Sequence, residues 1–266
     1  MNETYTLITP IKPQVPIIIS SPHSGTEIPK KILDYMSPKA ASSTDSDTLI
    51  HELYAFAASM GITQIYSRFS RYVIDLNRPQ NKASLYSDGR SETALIPTKT
   101  FAGDALYDNH KITSDEEEFR IENFYKPYHE QLSQLIDEAM KEFGRVLLFE
   151  AHSITRYVPT INKDKFPDLI IGTLDGQTCH NSIENSALSI LRSKDFEVSL
   201  NAPFKGGFIT RNYADAKNGI HTLQLEMCKD IYMDENETKL DSTKADKISR
   251  LLKNTFQILS KKVMEL

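Results

Sequence analysis

The chain has 266 residues, of which 39% are hydrophobic and 25% charged, and its formal net charge is −5. This composition is typical of a folded globular protein and excludes collagen, coiled coil and disorder as descriptions of the whole chain. The acidic balance argues against a nucleic-acid-binding protein, which usually presents a basic face. Two cysteines cannot supply a four-thiolate zinc site, so any metal would be bound by His, Asp and Glu side chains.

The sequence also carries no pattern that indicates a membrane protein. No segment approaches the roughly 20 apolar residues that a membrane-spanning helix needs. Residues 1–20 lack the basic start and the long apolar stretch of a signal peptide. We therefore expect a cytoplasmic protein with free thiols and no membrane contact.

Strand-like and helix-like hydrophobic patterns alternate along the chain. Polar, glycine and proline residues without a sustained period predict a long loop at residues 78–113, and long ordered loops are often functional. In chain order, the predicted elements are a strand at 15–20, a helix at 47–60, strands at 62–66 and 72–76, a helix at 114–143 that Pro127 kinks or splits, strands at 145–150 and 169–173, a helix at 178–193, strands at 196–200 and 220–227, and a closing helix at 241–263.

Apolar strands that alternate with helices favour an α/β fold. The near-continuous apolar run at 145–150 is typical of a strand that is covered on both faces. We therefore predict a three-layer α/β/α sandwich around a mixed central sheet. The chain shows no internal repeat and no linker rich in Gly, Ser or Pro, so we expect residues 1–266 to form a single domain.

Polar side chains stand at the carboxyl ends of several predicted strands, where ligands bind in open α/β sheets. These residues are His23, Asn77, Arg78, His152 and Glu226. Asp45 and Asp47 stand at the start of the predicted helix that follows the first of these strands. A catalytic zinc commonly takes three His and carboxylate ligands, and His23, His152 and one Asp would supply them. Glu226 would then be the general base, because it ends an otherwise apolar strand.

Each of these residues also has a structural interpretation. A histidine after a strand is often a hydrogen-bonded loop residue, and either Asp45 or Asp47 fits the N-cap of the predicted helix. Glu226 could instead pair with a nearby basic side chain. The residues alone therefore leave open whether a metal binds, and whether Asp45 or Asp47 would be its ligand.

Several arginines lie near strand ends or in loops, where a guanidinium could bind a carboxylate through two hydrogen bonds. Such a group favours a small anionic substrate, whereas ordinary ion pairing to the 36 acidic residues is the alternative for each arginine taken singly. The arginines concerned are Arg68, Arg71, Arg78, Arg156 and Arg211.

Six sequence blocks resemble those of the N-formylglutamate amidohydrolase family, and they occur in the family's order. They are SPHSG at 21–25, SRYVIDLNRP at 70–79, PYH at 127–129, AHSI at 151–154, FKGGFITR at 204–211 and QLEM at 224–227. The family is similar in fold to the zinc carboxypeptidases, so the resemblance implies a zinc-carboxypeptidase-like sandwich.

The resemblance also implies roles for individual residues. A divalent metal, expected to be zinc, would be bound by His23, Asp47 and His152, and Glu226 would be the base. Asn77 and Arg78, with Arg71 or Arg211, would bind the carboxylates of the substrate. This chain departs from the family pattern at two positions, since Glu150 stands where Asp is expected and Thr48 where an aromatic residue is common. Because Glu has one methylene group more than Asp, we expect Glu150 to alter the hydrogen-bonding support of His152.

The implied reaction is the cleavage of N-formyl-L-glutamate to formate and L-glutamate, late in histidine degradation. Two alternatives remain at this point. A hydrolase of another N-acyl amino acid or of a peptidoglycan amide would keep the metal residues, and a non-catalytic protein that binds acidic amino acids would keep the arginines without a metal. The sequence does not determine the oligomeric state.

Overall fold

A seven-stranded mixed sheet runs through the computed structural model, which describes residues 4–86, 92–192 and 195–266. The spatial order is β1-β3-β2-β4-β7-β5-β6. β1 is antiparallel to β3 and β5 is antiparallel to β7, whereas the other neighbouring strands are parallel. The strands are β1 (Tyr5–Ile8), β2 (Ile17–Ser21), β3 (Thr63–Ser67), β4 (Val146–Ile154), β5 (Leu169–Gly172), β6 (Val198–Leu200) and β7 (Ile220–Cys228).

The helices range from single turns to a 24-residue element at the end of the chain. Among the described residues, no helix combines the length and apolar character required to cross a bilayer. The α-helices are α1 (Lys30–Leu33), α2 (Ile50–Leu53), α3 (Ser114–Arg120), α4 (Lys126–Phe143), α5 (Asn181–Leu191), α6 (Phe208–Asn212) and α7 (Ser242–Glu265). Shorter 3-10 turns cover Pro38–Ser42, Ala57–Met60, Ala216–Asn218 and Lys229–Ile231, and a π turn covers Ile121–Tyr125.

Helices cover both faces of the sheet, which explains why its central strands are buried and largely apolar. In β2, Ile17 and Ile19 pack with residues of α2, α5 and α7, whereas Ile18 between them packs with residues of α4 on the other face. Successive side chains of a strand point to opposite faces, so one continuous apolar strand serves two cores. The structure therefore confirms the predicted three-layer sandwich around a mixed sheet.

Most of the predicted strands are confirmed, but the one at 72–76 is wrong. This segment forms a series of turns, in which Val73 N donates to Ser70 O at 2.9 Å and Asp75 N donates to Leu95 O at 2.7 Å. Its apolar residues are nevertheless buried in the core against α4. A short apolar run reports burial and does not by itself establish a strand.

The predicted helix at 47–60 is also wrong as a continuous element. It is divided into α2 and the 3-10 turn Ala57–Met60. Leu49 has a φ of 59°, a left-handed conformation that cannot be part of a right-handed helix, so α2 starts only at Ile50. Gly61 ends this region with a φ of 82°.

The predicted helix at 114–143 is confirmed in outline, because α3, the π turn and α4 follow one another directly. The π turn ends two residues before Pro127, which agrees with the predicted break. Gly144 ends α4 in the left-handed conformation. The sequence interpretation missed β1, α1 and α6, which have only four, four and five residues.

Candidate metal and active site

The central strands bring the three predicted metal ligands together. His23 lies two residues beyond β2, Asp47 lies in the turn before α2, and His152 lies near the end of β4, which pairs in parallel with β2. All three side chains are buried, and one possible ligand atom from each lies within 4.8 Å of the others. His152 is part of the strand itself and does not follow it, because β4 continues four residues beyond the predicted end at 150.

The strand period explains which side chains reach this site. Leu147 and Phe149 of β4 face the α7 side of the sheet. Because side chains alternate along a strand, Glu150 and His152 share the opposite face. In β7, Glu226 lies directly beside His152 in the parallel register. Adjacent strands thus place a histidine and a carboxylate side by side.

Both histidine rings are held by a second carboxylate. Nε2 of His23 lies 2.6 Å from Asp75 Oδ1, and Nε2 of His152 lies 3.3 Å from Glu150 Oε2. Nδ1 of His23 and Nδ1 of His152 lie 3.8 Å and 3.0 Å from the same Asp47 oxygen. In metal-binding histidines, a carboxylate bound to one ring nitrogen usually orients the other nitrogen towards the metal.

This donor set fits a divalent cation. Burial, and then the positive charge of Arg71, lower the pKa of His23 to about 4, so the ring is neutral at pH 7 as a metal ligand must be. Burial also disfavours a charged His152, but hydrogen bonds with Asp47 and Glu150 outweigh it and raise the pKa of His152 to about 10. A proton on His152, or a cation bound to it, would compensate the surrounding carboxylates.

Asp75 contacts His23 and also Arg71 and Asn77, two residues that are expected to bind substrate. The sequence interpretation missed it. Besides His23, its carboxylate accepts hydrogen bonds from Arg71 Nη2 at 2.6 Å and from Asn77 N at 2.9 Å. Burial opposes its charge, yet the nearby Arg71 guanidinium and His23 hold the pKa of Asp75 well below its usual range. The sequence places Asp75 two residues before Asn77 but carries no signal of its contact with His23.

Glu226 faces the same cavity as the three ligand side chains. Its Oε2 lies 3.4 Å from Gln224 Nε2, which can donate to it. Burial raises the pKa of Glu226 to about 8, with the negative Asp47 acting in the same direction and His152 opposing it. A carboxyl group with a raised pKa in a cavity is a candidate for proton transfer.

The cavity has a volume of about 460 Å³, and Arg71, Asn77 and Arg78 also line it. Arg78 donates from Nε to Thr93 O at 2.9 Å and from Nη1 to Asn77 O at 3.0 Å, so two backbone carbonyls fix its guanidinium. The Arg71 guanidinium lies 4.8 Å from the centroid of the Phe101 ring. The cationic side chains of Arg71 and Arg78 therefore line the same cavity as the three predicted metal ligands.

Two of the residues considered in the sequence lie elsewhere. Asp45 accepts a hydrogen bond from Phe101 N at 2.7 Å and is not in the ligand group, which contains Asp47. Arg211 donates to Gly206 O at 2.9 Å and is absent from the cavity wall formed by the described residues.

The side chain of Asn77 packs directly against the backbone of Gly207. Asn77 Oδ1 accepts a hydrogen bond from Ile209 N at 2.7 Å, and Asn77 Nδ2 lies 3.2 Å from His152 Nε2. A Cβ atom on Gly207 would lie only 2.3 Å from Asn77 Nδ2. Glycine at this position therefore permits the close approach of the Asn77 side chain.

Comparison with known proteins places these residues in a family. A family model described as N-formylglutamate amidohydrolase matches residues 15–233. N-formylglutamate deformylase from Pseudomonas putida is 35% identical over 226 residues, which is 84% of each chain. The protein of the same name from Pseudomonas aeruginosa is 35% identical over 224 residues, again 84% of each chain.

Solved structures support the fold. The crystal structure of N-formylglutamate amidohydrolase from Ralstonia eutropha superimposes with a TM-score of 0.84 at 24% identity and covers 99% of both chains. A gene product from Agrobacterium tumefaciens superimposes with a TM-score of 0.70 at 18% identity and covers 97% of this chain and 96% of that chain. At these identities, the likeness establishes the architecture.

Proposed function

The chain belongs to the N-formylglutamate amidohydrolase family, and from this premise we propose that it hydrolyses N-formyl-L-glutamate to formate and L-glutamate. The observation that carries the proposal is the shared cavity, in which the buried ligand group and Glu226 face Arg71 and Arg78. Such a cavity combines groups for activating water with groups for binding an acidic amino acid.

His23, Asp47 and His152 would hold a divalent cation, which we propose is zinc, because His and carboxylate are the ligands of many catalytic zinc sites. When bound, the cation would polarise the formyl carbonyl and make a water acidic enough to attack near neutral pH. Asp75 and Glu150 keep the two imidazole rings in the orientation that this role requires.

Glu226 is assigned the proton transfers. As a carboxylate it takes a proton from the attacking water, and it then delivers that proton to the glutamate nitrogen when the carbon–nitrogen bond breaks. With a cation held by His23, Asp47 and His152, the carboxylate form of Glu226 would be favoured, because an opposite charge lowers the pKa of an acid. The position of Glu226 next to His152 in the strand register supports this assignment.

Arg78, Arg71 and Asn77 are assigned to substrate binding. The Arg78 guanidinium is fixed by carbonyls of Thr93 and Asn77, so little rotamer freedom is lost when it binds a carboxylate. Asp75 partly neutralises Arg71 through a 2.6 Å ion pair, so Arg78 is the stronger of the two anion-binding groups. Because a formyl group offers little to bind, the two carboxylates would supply most of the affinity.

The test is formate or acid release from a matched panel of N-formyl-, N-acetyl- and N-succinyl-L-glutamate, each with and without a chelator. We expect formate release from the N-formyl substrate to be fastest and to be lost with the chelator. Faster turnover of the acetyl or succinyl substrate would instead show a deacylase of another N-acyl amino acid. No turnover of any substrate by metal-loaded protein would contradict the proposal.

A further inference from the structure

The guanidinium of Arg211 is bound to the protein itself, although its residue type and place suggested substrate binding. Nε donates to Gly206 O at 2.9 Å and Nη1 donates to Leu85 O. The guanidinium carbon lies 4.8 Å from the centroid of the Tyr86 ring. Nη2 is buried and makes no hydrogen bond to any described residue. Arg211 therefore contacts Leu85 and Tyr86 and does not open onto the cavity.

Leu85 and Tyr86 do line the cavity, and we call this pair the Leu85–Tyr86 wall. The two residues lie in no helix or strand, so contacts with other segments must fix them. The Glu92 carboxylate accepts hydrogen bonds from Leu85 N and Tyr86 N, both at 3.1 Å. The Tyr86 hydroxyl accepts one from Lys205 N at 3.2 Å. Arg211 completes this set, because it holds the Leu85 carbonyl and the Tyr86 ring.

We propose that Arg211 is a positioning residue, which sets substrate affinity by holding the Leu85–Tyr86 wall in place and does not contact a substrate carboxylate. This inference rests on the proposed function for its effect on turnover. The contacts that carry it concern only this chain, so they can be tested in the absence of substrate.

Arg211 lies in the short helix α6, which hydrogen bonds anchor to the rest of the fold. The Ile209 N–H at its start binds Asn77 Oδ1 at 2.7 Å, and Thr222 Oγ1 of β7 donates to the carbonyl of Thr210. α6 is thereby tied to the sheet, and it positions Asn77 from one end and the Leu85–Tyr86 wall from the other. One five-residue helix thus fixes two sides of the same cavity.

Lysine cannot replace Arg211 in this role. A planar guanidinium donates to two carbonyls from adjacent nitrogens while its face lies over an aromatic ring, whereas an ammonium is a point charge on a flexible stem. Arg211→Lys keeps the positive charge and loses the planar contact. The two variants Arg211→Lys and Arg211→Ala therefore separate the effect of charge from the effect of shape.

The first experiment measures hydrogen exchange of the Leu85 and Tyr86 amides in the metal-loaded protein without substrate. We expect Arg211→Ala to accelerate both by about tenfold, since loss of one charge-assisted hydrogen bond corresponds to about that factor. Arg211→Lys should also accelerate them. Arg250→Ala, at an exposed arginine of α7, is the matched control and should leave them unchanged. Unchanged exchange in Arg211→Ala would overturn the proposal.

The second experiment is a double-mutant cycle on N-formyl-L-glutamate kinetics with Arg211→Ala and Tyr86→Ala. If Arg211 acts through the wall, each single variant raises KM by about tenfold and leaves kcat within a few-fold of wild type. The fold-loss of kcat/KM in the double variant is then clearly smaller than the product of the two single fold-losses. Independent, multiplicative losses would mean that Arg211 acts on the substrate directly, and they would overturn the proposal. Absence of turnover in wild-type protein contradicts the proposed function alone, because the exchange experiment still tests the wall.

Discussion

Single side chains in this site have environments that assign them different tasks. Burial keeps His23 neutral, hydrogen bonds to Asp47 and Glu150 favour a proton on His152, and burial raises the pKa of Glu226 to about 8. Two imidazoles and a carboxylate converge on one point, and a further carboxyl group stands beside them. The division between ligands and a proton-transfer group therefore follows from local contacts.

Glu226→Gln tests the proton-transfer role. Glutamine keeps the shape of the side chain but cannot accept a proton at neutral pH, so we expect kcat to fall by about 100- to 10,000-fold. Metal content and melting temperature should stay at wild-type values, because the change removes no ligand and little packing. Turnover within a few-fold of wild type, measured on the same preparation, would show that Glu226 is structural.

The residues that sequence reasoning found and those it missed differ in a physical way. His23, Asp47 and His152 stand next to apolar runs, so their placement at a sheet edge could be predicted. Asp75 could not be recognised as their support, because its role depends on a turn that brings it under His23 across 52 positions of sequence. Likewise, the half-buried guanidinium of Arg211 depends on Leu85, which is 126 positions away.

At the scale of elements, the site depends on short irregular segments laid over regular strands. The sequence predicts a strand at 72–76, yet the buried residues of that segment follow a chain of turns. That path lets Asp75 reach His23 while Asn77 and Arg78 both line the cavity. In a strand, the successive residues Asn77 and Arg78 would point to opposite faces. The hydrophobic pattern fixed the burial of this segment but not its hydrogen-bond partners.

Gly207→Ala tests the contact between α6 and this segment. Gly207 has a φ of −81°, which alanine adopts without strain, so the expected cost is steric and comes from the clash with Asn77. We expect a loss of about 1–3 kcal/mol in the free energy of unfolding. The same substitution should cost little in an Asn77→Ala background. An equal loss of stability in both backgrounds would show that the clash is not the cause.

His129 ties α4 to the same segment and makes stability depend on pH. Its Nε2 donates to Leu76 O at 2.9 Å, and burial lowers the pKa of His129 to about 4. The unfolded chain therefore binds more protons than the folded chain between about pH 4 and pH 6.5, so stability rises with pH across that window. The contribution is fully present above the upper limit and is lost as the pH falls.

His129→Gln removes this titration and keeps an amide donor. We expect the wild-type free energy of unfolding to fall between pH 6.5 and pH 4 by on the order of 3 kcal/mol more than that of the variant. Denaturant unfolding at intervals across this range measures the difference, and the other histidines cancel in the comparison. Parallel pH profiles for the two proteins would contradict the assignment.

At the scale of the whole molecule, the order of the sheet explains the position of the site. β2, β4 and β7 are adjacent and parallel, so the chemistry-bearing ends of three strands meet at one edge. The alternation of strands and helices predicted this layered architecture from the sequence. The antiparallel edge strand β1 was not predicted, because four half-buried residues carry too weak a pattern.

The most direct test of the account adds zinc to chelator-treated protein and follows bound metal and formate release from N-formyl-L-glutamate together. We predict that about one ion per chain restores turnover in the wild type. The double variant His23→Ala/His152→Ala should neither retain the ion nor release formate at the same zinc concentrations. Full turnover by the metal-free wild type, or metal binding with full turnover by the double variant, would contradict the central claim that these residues hold the catalytic metal.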